Sequence, residues 1–307
     1  MSRIIVIGSL NMDLVVRTSR IPLAGETVAG DGFRTISGGK GANQAVAVAR
    51  LGGTVSLIGC VGGDVFGRQL VDNLRAQHVD SMHVRTDLSA PTGTATILVE
   101  SSGENRIIVV PGANGKLKRE DIDAVEQSLD DVKLVMLQFE VPLSIVEYAI
   151  DMANRHHIPV LLNPAPAYPV SDTLLGKVDY LVLNETETQL LSGVTITDIA
   201  TTRRAANILI SRGVKVVIIT LGEKGAYLAT AAKGAHISTH PVSVVDTTAA
   251  GDAFLGGLAV SLVEGRELRD AVQMANAAGT LAVTRFGAQT SLPSLQEVQT
   301  FLSTVHD

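Results

Sequence analysis

Short apolar runs alternate along this chain with longer stretches of helical period. The runs at 4–7, 55–58, 132–137, 160–162, 180–183 and 214–219 carry at most one charged residue each. Runs this short and this apolar predict strands buried on both faces, the habit of a parallel sheet. Between them, Ile145, Val146, Ala149, Ile150 and Ala153 share one helical face. Ala205, Ala206, Leu209 and Ile210 share another, which Gly213 ends. Such alternation predicts an α/β fold: a doubly wound, mostly parallel sheet flanked by helices. The tail changes character, with three successive helices expected over 250–263, 267–283 and 294–304 to cover one side of the sheet.

Two regions break the alternation. Residues 13–37 show no helical period, and 93–110 read as two period-two strands, 94–100 and 106–110, around the turn Ser101-Ser102-Gly103-Glu104-Asn105. Both predict antiparallel strands inserted into the parallel domain. The expected division is a main domain of residues 1–12, 38–92 and 111–307, with a small β-sheet lid made of 13–37 and 93–110. A lid closes over a ligand; the plainer alternative is a decorative edge hairpin.

Composition narrows the class. The 307 residues are 46% apolar, enough for a substantial core, and carry 25 basic against 31 acidic side chains for a net charge of −6. That balance argues against nucleic acid, whose binding rests on clustered Lys and Arg. The single Cys60 can form no internal disulfide, so a reducing cytoplasmic setting is expected. No apolar run is long enough for a membrane helix, and Met1-Ser2-Arg3 leads into a run too short for a signal peptide. The histidines show no metal-ligand spacing.

In an open parallel sheet, ligands bind at the carboxyl ends of the strands. Polar residues recur at those ends here: Gly8-Ser9-Leu10-Asn11-Met12-Asp13, Gln138-Phe139-Glu140, Asn163-Pro164, Asn184-Glu185-Thr186-Glu187 and Thr220-Leu221-Gly222-Glu223-Lys224-Gly225. Together they outline a polar crevice.

Two glycine-rich or small-residue elements add chemistry. Ser37-Gly38-Gly39-Lys40-Gly41-Ala42-Asn43-Gln44 opens a helix of small residues, and its glycines let a ligand approach the backbone. It is no Walker A loop, because Gly41 follows Lys40 where Ser or Thr is required. Asp246-Thr247-Thr248-Ala249-Ala250-Gly251-Asp252 leads into a strongly apolar helix. Backbone amides of Ala249, Ala250, Gly251 and Asp252 are placed to form an anion hole at the positive end of that helix, with the Asp252 carboxylate beside it. A helix cap explains one carboxylate, but not the clearing made by small residues. A base beside an anion hole is what phosphoryl transfer to an alcohol requires.

These motifs, with Pro22-Leu23-Ala24-Gly25-Glu26-Thr27 and Asn163-Pro164-Ala165-Pro166, resemble those of the ribokinase-like (phosphofructokinase-B type) carbohydrate kinases over essentially the whole chain. The resemblance implies ATP-dependent phosphorylation of the primary 5-hydroxyl of D-ribose. It implies sugar binding by Asn11, Asp13, Gly39, Lys40, Asn43 and Glu140, with Asp252 as the base. Asn184 and Glu187 would serve phosphates and Mg²⁺; Thr220, Gly222 and Gly225 would border the nucleotide, and Asn276 would lie near its adenine or ribose. A monovalent cation, typically K⁺, would be held by Asp246 and Thr248, carbonyls of Ala282, Arg285 and Gly287, and Ser291, an oxygen-only set suited to a hard cation. A homodimer through the β lid is also implied. Three positions depart from the family pattern. Ala249 stands where many relatives carry Gly, a strain of about 1 kcal/mol if φ is positive. Asn276 stands where some carry His. Met12 replaces a smaller residue and, by strand alternation, points away from the sugar.

Other acceptors stay open: 2-deoxyribose, fructose or a nucleoside such as adenosine, the last disfavoured because only ten Phe and Tyr residues exist to stack on a base. A nicotinamide oxidoreductase would need G-x-G-x-x-G after the first strand. A nucleoside hydrolase would need clustered aspartates there, and only Asp13 is present. A non-catalytic sugar-binding protein is opposed by the Asp252 region.

Overall fold

The computed structural model describes residues 2–100 and 105–304; most of the turn expected at 101–105 lies outside them. The first part of the chain forms β1 (Arg3–Ile7), β2 (Asn11–Thr18), β3 (Gly30–Gly38), α1 (Lys40–Arg50), β4 (Thr54–Gly62), α2 (Val65–Ala76), β5 (Val84–Asp87), β6 (Gly93–Glu100) and β7 (Asn105–Val110). After a 3-10 turn at Gly112–Lys116 come α3 (Arg119–Glu126), β8 (Val132–Leu137), α4 (Leu143–Arg155), β9 (Val160–Leu162), α5 (Asp172–Leu175), β10 (Tyr180–Leu183) and α6 (Glu185–Ser192). The remainder is α7 (Ile199–Ser211), β11 (Val216–Thr220), β12 (Ala226–Thr230), β13 (Gly234–Ile237), α8 (Ala250–Val263), α9 (Leu268–Ala282) and α10 (Leu295–Thr304).

Nine strands form the main sheet in the order β13-β12-β11-β10-β9-β8-β1-β4-β5. From β5 to β11 every pairing is parallel; β12 and β13 fold back antiparallel at one edge. Alternation along β1 explains the layers. Ile4 and Val6 face one core with α1, α8 and α9, through residues such as Val46, Leu258 and Ala275. Ile5 and Ile7 face the other, with Ile122, Val146, Ile150 and Leu209. The three expected C-terminal helices are α8, α9 and α10. At Gly256 a Cβ would fall 2.5 Å from the Ala47 Cβ, so α8 and α1 touch there almost backbone to backbone.

The chain winds outward from β1 to β4 and β5, then returns to start β8 on the other side of β1. The carboxyl ends of β1 and β8 therefore flank the switch point, where open α/β sheets bind ligands.

The two irregular regions form a separate sheet in the order β3-β2-β6-β7. Its outer pairs are antiparallel as expected, but the central pair β2 and β6 is parallel, Asn11 opposite Gly93 through Thr18 opposite Glu100. Both strands leave the main sheet from its carboxyl rim, so both must run the same way. Met12 is buried in the first core, away from the polar crevice.

Candidate active site

The loop before α1 lies flush on the segment that joins β1 to β2. Gly39 has φ 91°, and a Cβ there would sit 2.6 Å from the Asn11 nitrogen; at Gly41 it would sit 2.6 Å from Gly8 and Ser9 backbone atoms. Only glycine permits that approach. One carboxylate gathers the result. Glu140 Oε2, just past β8, accepts from Ser9 Oγ at 2.5 Å, from the Lys40 backbone amide at 3.1 Å and from Asn11 Nδ2 at 3.5 Å. Asn11 is oriented from behind by Asn114, whose Nδ2 donates to Asn11 Oδ1 at 2.8 Å. Four of the sequence-predicted sugar residues, Asn11, Gly39, Lys40 and Glu140, thus meet at the switch point.

Asp252 lies in the first turn of α8 and is buried. Its Oδ2 accepts from Asn43 Nδ2 and its Oδ1 from Gln44 Nε2, each at 3.0 Å. Ala249 caps α8 with φ 61°, the left-handed value at which its methyl is strained. The amide of Ala250 donates to the Thr247 carbonyl at 3.3 Å. The amides of Ala249, Gly251 and Asp252 have no acceptor among the described residues. A Cβ on Gly251 would meet nothing within 4 Å, so that turn opens onto free space.

Charge is concentrated here. Burial above all, then the negative charges of Glu140 and Asp252, push the Asp13 carboxyl up to about 7. Burial also raises the Asp252 carboxyl, with Glu140 acting alongside; Lys40 and the bonds from Gln44 and Asn43 oppose it. Burial disfavours the Lys40 ammonium, yet Asp252, Glu140 and Glu187 together outweigh it and hold its pKa above the ordinary value. Lys40 therefore feels the carboxylates of Asp252, Glu140 and Glu187 together.

The residues expected to border the nucleotide lie at the ends of β10 and β11. Asn184 N-caps α6 in a capping box with Glu187: each side chain accepts from the other's backbone amide, at 2.8 and 2.9 Å. Burial raises the Glu187 carboxyl, opposed by the Asn184 amide and Lys40. Thr220 Oγ1 donates to the Leu183 carbonyl at 3.2 Å, which ties the two strand ends together. Gly222 and Gly225 turn the chain after β11 with φ 56° and 89°. Asn276 is buried, and its Nδ2 is occupied by the Ile237 carbonyl at 3.0 Å, so it pins the segment after β13.

A third cluster surrounds Asp246. Its Oδ1 accepts from the Thr248 amide and its Oδ2 from the Gly287 amide, both at 2.9 Å, while its own amide donates to the Val283 carbonyl beside Ala282. Burial works against the Asp246 charge, but these bonds outweigh it and hold the carboxyl below its ordinary range. Ser291 is buried and donates its hydroxyl to the Ala288 carbonyl at 2.8 Å. The Arg285 guanidinium points away, to Glu297 at 2.6 Å. Among the described residues no three His, Cys, Asp or Glu side chains cluster as a metal site.

Sequence reading passed over Asn114, Gln44 and Gln138 as site residues. The last two stood inside motifs already noted, whereas Asn114 sits in the aperiodic turn after β7, marked only by its flanking glycines.

A buried carboxylate beside free amides, under a polar crevice, is equipped to move a phosphoryl group onto an alcohol. Residues 1–295 match the family model described as pfkB family carbohydrate kinase. The chain is 44% identical to the ribokinase of Schizosaccharomyces pombe, covering 97% of each chain. It is 38% identical to a deoxyribokinase of Salmonella typhi, covering 98% of each. The solved structure of Arabidopsis thaliana ribokinase complexed with ribose and ATP superposes with a TM-score of 0.91 at 34% identity, covering 98% of this chain and 99% of that one. The chain belongs to the pfkB family of carbohydrate kinases. Among the described residues no helix is long and apolar enough to cross a membrane.

Proposed function

We propose that the chain transfers the γ-phosphoryl group of ATP to the 5-hydroxyl of D-ribose, giving D-ribose 5-phosphate and ADP. The observation that carries this reading is the Asp252 carboxylate, held through both oxygens by Asn43 and Gln44 beside the free amides of α8. Asn11, Asp13, Gly39, Lys40, Asn43 and Glu140 hold the sugar. Asp252 takes the proton of the 5-hydroxyl as that oxygen bonds to the γ-phosphorus and the bond to the ADP oxygen breaks. The amides of Ala249, Gly251 and Asp252 bear the charge on the transferring group.

Asn184 and Glu187 border the phosphates, and Thr220, Gly222, Gly225 and Asn276 the rest of the nucleotide. The buried Glu187 carboxylate, with Asn184, would fit a Mg²⁺ that keeps most of its waters, and the ion would supply neutralising charge to the phosphates. The Asp246 cluster fits K⁺: an ionised carboxylate, Ser291 with its proton turned away, Thr248, and carbonyls at Ala282, Arg285 and Gly287 make an all-oxygen set. The small sheet, residues 13–37 and 93–110, is read as a lid and as the face of a homodimer. Supporting that, β7 exposes Ile107, Ile108, Val109 and Val110 at 54, 64, 48 and 49%, an apolar edge of the kind proteins cover. A reducing cytoplasmic location fits the single buried Cys60.

The test is ADP release from ATP and Mg²⁺ over D-ribose, 2-deoxyribose, fructose and adenosine, in K⁺ and then in Na⁺. Turnover is expected to be strongest on ribose and raised by K⁺. Preference for 2-deoxyribose, the name carried by the Salmonella relative, would move the acceptor and keep the mechanism. No ADP release with any acceptor would return Asp252 to the role of a helix cap.

A further inference from the structure

Behind the base lies a buried pair of side-chain amides that no step above uses. Gln44 and Gln138 are both fully buried. Gln44 donates through Nε2 to Asp252 Oδ1 at 3.0 Å, and its Oε1 accepts from Gln138 Nε2 at 2.6 Å. Gln138 Oε1 has no partner and is packed against Gly8, where a Cβ would lie 2.0 Å away.

We propose that Gln138 is a positioning residue for catalysis: it fixes which end of the Gln44 amide faces Asp252.

The two ends of a side-chain amide are nearly equal in shape and opposite in hydrogen-bonding sense. Nothing in the shape of the Gln44 pocket selects one. The selection comes from a chain of donors that starts at the charge. An ionised Asp252 can only accept, so Gln44 must show it Nε2. Gln44 Oε1 then faces inward and needs a donor, which Gln138 supplies. The opposite orientation of Gln138 would set oxygen against oxygen. Its chosen orientation leaves Oε1 buried without a donor, which is unfavourable for folding. A fully buried amide that leaves one of its own atoms unsatisfied, and whose hydrogen bond is spent on Gln44, points to a task exerted through Gln44.

The task concerns the proton affinity of Asp252. The groups that face Asp252 are Lys40 and Asn43 with Gln44 from α1, Glu140 beyond β8, and Asp13 from β2. Lys40 and the two amides favour the ionised base, and the carboxylates oppose it. A reversed Gln44 would change sides, presenting a lone pair to the carboxylate. The base would then hold its proton to higher pH, and its oxygen would lose the direction that aims it at the sugar hydroxyl.

This inference rests on the sugar-kinase reading, so wild-type turnover on D-ribose is measured first. Its absence would count against that reading and not against Gln138. Three quantities are then compared in Gln138→Met and Gln138→Glu: the pH profile of kcat, the KM for D-ribose, and the melting temperature. Met removes the donor and the orphan oxygen together. An ionised Glu attracts Gln44 Nε2 away from Asp252. The expected result is a kcat lowered about tenfold in Gln138→Met and roughly a hundredfold in Gln138→Glu, with the acid limb displaced to higher pH. KM should stay within about threefold, because Gln138 meets no sugar residue directly. Gln138→Met exchanges one buried unsatisfied oxygen, Gln138 Oε1, for another, Gln44 Oε1, so its melting temperature should fall by no more than about 5 °C. A fall in kcat that tracks a fall in melting temperature, with the acid limb unmoved, would reduce Gln138 to a structural filler. An unchanged kcat in both variants would overturn the proposal outright.

Discussion

The two halves of the crevice are built differently. At the carboxyl ends of β1 and β8, side chains bond to one another: Ser9 and Asn11 to Glu140, Asn43 and Gln44 to Asp252, Asn114 to Asn11. Nearly all of these residues are buried. On the other side, the stretch leading to α8 lies open, with Val244 and Val245 at 62 and 60% exposure, and the free groups are backbone amides. On the proposed function, the contrast follows from what each half would meet. Neutral sugar hydroxyls differ only in where donors and acceptors stand, so their partners must be fixed in advance. Phosphates bring their own charge and need little more than oriented amides and space.

Breaking the ordered half at its centre should have the largest effect. Asp252→Asn keeps the shape and removes the base; kcat should fall on the order of 10³-fold while calorimetry still detects ribose binding. Near-normal turnover would sink the mechanism. Lys40→Met tests whether the halves are electrically joined. Without the ammonium, Asp252, Glu140 and Glu187 lose their shared counter-charge, so KM should rise for both sugar and ATP and kcat/KM should drop about a hundredfold. A change confined to one substrate would separate the halves.

Asp13→Asn sharpens the cost of that order. The Asp13 carboxyl stands at about 7 in the fold against 3.8 as its ordinary value, so the fold favours the protonated form. That stability is complete below the ordinary value and is lost as pH rises through the raised one. The Asn variant lacks the loss. Its melting temperature should exceed that of the wild type by a margin that widens from mildly acid pH to about neutral, with a ceiling of roughly 4 kcal/mol, while ribose binding weakens. A margin independent of pH would show that Asp13 is not the group responsible. The smallest effect is expected on the open side. Ala249→Gly releases left-handed strain of about 1 kcal/mol and loses a similar amount through the freer unfolded chain, so stability should move by less than about 1 kcal/mol. Turnover should be kept; a clear loss would mean the Ala249 methyl touches substrate.

The main sheet was legible because each central strand carries a short, mostly apolar run, and the C-terminal helices because their apolar stretches are too long for strands. β12 and β13 were not, since Ala226–Thr230 and Gly234–Ile237 mix small and polar residues at an edge. The parallel pairing of β2 with β6 was equally hidden: it depends on both strands leaving the same rim, which no local pattern encodes. At the site, residue types and motifs were readable, and partners were not. Gln138 stood in plain view after β8, but its bond to Gln44 joins residues 94 apart. Asn276 reads in the sequence as a nucleotide contact, and only the packing of α9 against the end of β13 reveals that its Nδ2 also holds the Ile237 carbonyl.

The contact between Gly256 and Ala47 sets the tolerances of the whole device. Gly256 lies one helical turn beyond Asp252, and Ala47 one turn beyond Asn43, so the distance between these two helices gauges the gap between the base and its partners. A single methyl at position 256 would wedge them apart by about an ångström, since carbon atoms do not approach to 2.5 Å. The two 3.0 Å bonds to Asp252 would then be stretched past useful length. Gly256→Ala is in this sense a mechanical fault rather than a chemical one: every reacting group is present, and the machine is out of true.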